Sequence, residues 1–141
     1  MKRILSMCLV IFMFSLSTFT TQALDEDVYI SEEIIEEYSY TSSVNSTISI
    51  SGRSATCKST ILGNSYVTKI IITQTLQRKS GTSWSNITSW SKTYSANYAI
   101  FTNSRNSLSS GTYRTHTVAK VYKGANYETV SANSSTKSIS L

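Results

Sequence analysis

The chain has 141 residues, with 13 Lys and Arg, eight Asp and Glu, one His, two Cys and no Pro. That length suits one domain, and two cysteines cannot build a disulfide framework. One histidine and few acids leave little material for a metal centre or an acid–base pair.

Lys2 and Arg3 precede an uncharged apolar run of 11 residues, Ile4 to Phe14, and a small polar stretch ending at Ala23. This is the layout of a secretory signal peptide, expected over residues 1–23, with cleavage after Ala23 and export to the extracellular space. The run is shorter than the roughly 20 apolar residues of a membrane helix, so no integral membrane anchoring is expected. Cys8 lies inside it, which leaves Cys57 as the single cysteine beyond the signal. Cys57 reads as a small buried residue rather than a reactive or intermolecular thiol.

Seven of the eight acids lie between Asp25 and Glu37, and the eighth is Glu128. From Tyr38 onward eleven Lys and Arg face that one Glu. The asymmetry divides the chain into an acidic leader, 24–44, and a cationic domain, 45–141. Ile30, Ile34, Ile35 and Tyr38 share one helical face, but a helix of about two turns is marginal in water. The leader is therefore expected as a disordered segment or a short helix, serving as a solvated tail or as a masking pro-segment.

The domain reads as all-β, because β-branched and aromatic residues recur in alternation. TISIS over 47–51 opens the series. Over 55–62, Ala55, Cys57, Ser59 and Ile61 share a face. Over 67–79, Ile70, Ile72, Gln74 and Leu76 do the same. After a turn at Ser80 and Gly81 come 84–94, a less regular stretch over 98–106, and 112–122. A turn over 123–126 leads into the last strand, 127–139. About seven short strands with regular turns predict a β-sandwich.

In the strand 113–122, Tyr113, Thr115, Thr117, Ala119 and Val121 form the uncharged face and are expected inside. Arg114, His116, Val118, Lys120 and Tyr122 are then expected outside. The approach to this strand, LSSGTY over 108–113, resembles the entry to strand F of immunoglobulin-like domains. There a tyrosine packs at the sandwich corner, a part Tyr113 would take. Thr115 stands where antibody domains have their second cysteine.

Six stretches taken in order also resemble an uncharacterised family of small secreted proteins of Gram-positive bacteria. They are ATC (55–57), KIIITQTLQ (69–77), SGTSW (80–84), SWS (89–91), GTYR (111–114) and VYKGANYE (121–128). The resemblance implies secretion and a β-sandwich; it carries over no catalytic residue.

Chemistry is scarce. Glycoside hydrolysis needs two carboxyls, and the domain has only Glu128. A Ser-His-Asp set needs an acid to orient His116, and both aspartates lie in the leader. Cys57 and His116 are expected on opposite faces, and no set of metal ligands can be assembled. The chain is expected to be non-enzymatic, without cofactor or metal.

Binding has more to work with. Trp84 and Trp90 serve as core or as anchors, and Tyr122 and Tyr127 flank the last hairpin. The expected site is the outer face of Arg114, His116, Lys120 and Tyr122, with Lys123 and Tyr127 beside it. An anionic or glycan polymer of the cell surface suits such a face. Nucleic acid ranks last, because no recognition motif is present. The alternative is a bacteriocin-like or inhibitory protein whose acidic leader masks the domain.

Overall fold

The computed structural model describes residues 38–141. The expected signal peptide and the leader as far as Glu37 lie outside the described residues. Eight strands follow one another: β1 (Thr41–Ser51), β2 (Ser54–Gly63), β3 (Lys69–Ser80), β4 (Ser83–Tyr94), β5 (Tyr98–Arg105), β6 (Gly111–Lys123), β7 (Asn126–Asn133) and β8 (Lys137–Ile139). They form two antiparallel sheets, one ordered β1-β2-β5 and the other β4-β3-β6-β7, with β8 beside the start of β6. The all-β expectation holds. β1 begins four residues inside the stretch read as leader, because Thr41 already pairs with Gly63.

Alternation builds the interior. Ala55, Cys57, Ser59 and Ile61 of β2 are fully buried, as are Ile70, Ile72, Gln74 and Leu76 of β3. Tyr113, Thr115, Thr117, Ala119 and Val121 of β6 are buried too. Two hairpins close where the sequence places turns. Ser80 pairs with Ser83 around Gly81, and Lys123 with Asn126 around Gly124. Both glycines have φ near +60°, which a two-residue loop matched to strand twist requires and a side chain resists.

The interior holds two apolar clusters. Ile61, Val67, Ile70, Ile72, Ala119, Val121 and Val130 belong to one; Ile48, Cys57, Leu76, Leu108, Tyr113 and Ile139 belong to the other. On β2, β3 and β6 the rung between them is polar. Gln74 Nε2 donates to Ser59 Oγ at 2.7 Å, and Ser59 Oγ lies 2.7 Å from Thr117 Oγ1. Thr117 donates to Ser46 Oγ at 2.9 Å, and Ser46 donates to the Thr115 carbonyl at 3.2 Å. Since the Thr117 proton goes to Ser46, the Ser59 proton must go to Thr117. Gln74 is closed off by donating to Phe101 O and accepting from Asn103 Nδ2. A one-way chain of hydrogen bonds thus joins the two sheets and satisfies hydroxyls that would be costly to bury alone.

Two irregularities place functional side chains. Leu76 pairs with Thr88 but Gln77 pairs with Asn86, so Ile87 is an extra residue, a β-bulge in β4. The strand expected over 127–139 is divided at Ser134. The Ser134 amide donates to Thr115 O, and its hydroxyl accepts from the Thr115 amide, replacing a rung of the ladder.

Candidate functional site

The outer face of β4-β3-β6-β7 carries most of the expected site. Register sets Lys69, Tyr122 and Tyr127 in one row and Ile71, Lys120 and Thr129 in the next. Below them come Thr75, His116 and Asn133, then Asn86, Gln77 and Arg114. Arg114 and Tyr122 stand eight positions apart on β6, about 27 Å at the rise of a strand.

Cations and rings interleave at both ends of this face. Lys69 Nζ lies 4.1 Å over the Tyr122 ring, and Lys120 Nζ lies 5.1 Å over Tyr127. The Tyr122 and Tyr127 rings sit 5.1 Å apart, tilted by 38°. At the far end the Arg114 guanidinium lies 4.2 Å over the Trp84 ring. Arg114 Nε donates to Gln77 Oε1 at 2.8 Å, and Gln77 Nε2 donates to Asn86 Oδ1 at 2.9 Å. An ammonium over a ring is held by the ring quadrupole while its outer hydrogens stay available. Between the two ends the face is lined with hydroxyls, including Thr73, Thr75, Ser89, Ser91, Thr129 and Ser131 around Val118.

The structure brings together Arg114, His116, Lys120, Tyr122 and Tyr127 on this one face. Lys123 departs from it. One position past Tyr122, it turns the other way at the end of the sandwich, with Nζ 4.9 Å from the Tyr66 ring and 5.9 Å from Tyr40. His116 Nδ1 lies 2.8 Å from Asn133 Oδ1, a cross-strand pair that fixes the ring.

Sequence reasoning missed Lys69, Gln77, Asn86 and the outward placement of Trp84. Lys69 and Gln77 have the outward parity of β3, but their position beside Tyr122 and Arg114 needs the β3–β6 register. Trp84 and Trp90 are six residues apart, so plain alternation puts them on one face. The bulge at Ile87 separates them: Trp84 stacks outside on Arg114, while Trp90 packs inside against the second apolar cluster. Tyr98, which follows them in the sequence, is exposed on the opposite sheet.

Among the described residues, Glu128, Cys57 and Tyr113 are buried or hold structural partners. Glu128 accepts from the amides of Ser39, Tyr40 and Thr41 at 2.8, 2.8 and 2.6 Å, pinning the start of β1 to β7. Burial pushes its carboxyl up, but the Thr41 hydroxyl and the three amides outweigh that and hold it below the usual glutamate value. The Thr41 hydroxyl does so without a hydrogen bond of ordinary geometry. Cys57 is free and fully buried; burial pushes its thiol up, and the nearby Thr115 hydroxyl offsets this only in part. Tyr113 is 1% exposed, and its hydroxyl donates to Ser109 O at 2.8 Å. Comparison with protein-family models, with curated proteins and with solved structures finds no match to this chain.

Proposed function

We propose that this chain is a secreted, non-enzymatic protein of a Gram-positive bacterium that binds an anionic or glycan polymer of the cell surface. The observation that carries the reading is the outer face of β4-β3-β6-β7. Lys69, Lys120 and Arg114 each stand over a tyrosine or tryptophan ring, and among the described residues no acidic side chain shares the face. A polymer that alternates phosphate with sugar or polyol needs both partners at intervals, cations for the charge and rings for the carbon faces. His116, Glu128 and Cys57 have structural partners or are buried, which favours binding over catalysis. The strand order and the Tyr113 hydrogen bond to Ser109 support an immunoglobulin-like sandwich as the scaffold.

The test is a sedimentation assay with purified Gram-positive cell walls, with and without teichoic acid, at rising salt. Binding that needs the polymer and weakens steadily with salt supports the reading. Equal, salt-indifferent binding to stripped walls assigns the glycan rather than the anionic polymer, and no binding to either wall removes the reading.

A further inference from the structure

The tip of the β3–β4 hairpin carries an open pocket of about 280 Å³ lined by Arg78, Lys79, Ser80, Ser85 and Ile87. We propose that this pocket is a phosphate-binding site, separate from the row of cations and rings on the sheet face. Two cationic side chains and two hydroxyls line it, and among the described residues no carboxylate does. Its volume is below the roughly 300 Å³ at which pockets for drug-sized ligands begin, so it suits one small charged group.

Three features of the backbone build it. The bulge leaves Ile87 without a partner on β3, and Ile87 becomes an exposed apolar wall beside Ser85. Gly81 turns the chain so that Ser80 and Ser83 pair at the rim. Arg78 is fixed in advance: its Nη2 donates to the Ser110 carbonyl at 2.6 Å, and its Nε lies where a Cβ on residue 111 would come within 2.5 Å. Only glycine at that position lets the guanidinium lie across the chain. A cation held before the ligand arrives loses little entropy on binding, and a guanidinium matches phosphate oxygens better than an ammonium does. Lys79 adds a mobile second charge and the two serines add hydroxyl donors.

Phosphate reaches such a pocket either as the free ion or as a group carried on a polymer. The experiment titrates the full chain, labelled with ¹⁵N, with sodium phosphate and separately with a short poly(glycerol phosphate), against sodium chloride of matched ionic strength. Saturable amide shifts centred on Arg78, Lys79, Ser80, Ser85 and Ile87 are expected with phosphate and not with chloride. The double variant Lys79→Ala, Ser85→Ala, both exposed positions, should weaken binding of inorganic phosphate at least fivefold, while Lys58→Ala on the opposite sheet leaves it unchanged. Tighter binding of the oligomer, with shifts reaching Trp84 and Arg114, identifies the polymer as the source; equal affinity identifies the free ion. Shifts that never saturate, that chloride reproduces, or that persist unchanged in the double variant overturn the pocket. Failure of wall binding alone leaves this result standing, because inorganic phosphate is tested without any polymer.

Discussion

Thr117→Val breaks the buried chain of hydroxyls with little change of shape. Thr117 is fully buried; its loss removes one bond to Ser46 and one to Ser59. Ser46 still donates to Thr115 O, but the Ser59 proton is left facing a methyl group. An orphaned buried donor costs about 1–3 kcal/mol, and the added methyl returns somewhat under about 1 kcal/mol. The net loss expected is about 1–2 kcal/mol, or a fall in Tm of about 4–12 °C for a domain this size. Ser59→Ala alone should cost a similar amount, because it strands the Gln74 donor. In the double variant the orphan on Ser59 is gone, so the two losses should add to less than their sum by about 1 kcal/mol. Urea unfolding of the four proteins measures this. Losses that add to within about 0.3 kcal/mol would show that the hydroxyls act independently and refute the directed chain.

Glu128 gives a pH prediction. Its folded-state pKa is lowered, so its contribution to stability is present above the unfolded glutamate value of about 4.3 and is lost as pH falls through the folded value. The urea midpoint of Glu128→Gln should therefore trail the wild type at pH 7 and converge with it in acid, as pH falls through the lowered folded value; a gap that widens in acid contradicts this. Gly111→Ala places a Cβ 2.5 Å from Arg78 Nε at a φ of +149°, and should cost at least about 1 kcal/mol by thermal unfolding. Trp84→Ala should weaken wall binding several-fold yet move Tm by no more than about 2 °C, because its ring stacks on Arg114 outside the core. A large fall in Tm would make Trp84 a core residue instead.

Much of the fold was legible because β2, β3 and β6 keep a period of two. Ala55 to Ile61 and Ile70 to Leu76 bury every second residue, including the polar Ser59 and Gln74. That two polar side chains occupied the same rung, opposite Thr117, needed the pairing of strands. The inward face of β6, with Tyr113 buried on it, was also readable, since one face of that strand carries no charge. What escaped was whatever depends on a break in period. The bulge at Ile87 reverses the side on which Trp84 emerges, and Ser134 divides the last strand by a hydroxyl taking the place of an amide partner. Lys69 and Gln77 joined the candidate face only through the β3–β6 register. Lys123 left it because the last residue of β6 has inward parity. The true start of β1 was hidden because its anchor, Glu128, lies 87 positions away from Thr41.

Polymer binding, as proposed, follows from position on one sheet face and not from net charge. It is tested by measuring the affinity of two charge-matched double variants for teichoic-acid-bearing walls. Lys69→Ala with Lys120→Ala removes two cations from the β4-β3-β6-β7 face; Lys58→Ala with Arg105→Ala removes two from the β1-β2-β5 sheet. Each cation near an anionic surface contributes about 1 kcal/mol, so the first variant should lose roughly 30-fold in affinity. The second should lose less than about twofold. Equal losses in the two variants would mean that binding follows overall charge, and would contradict the assignment of the face.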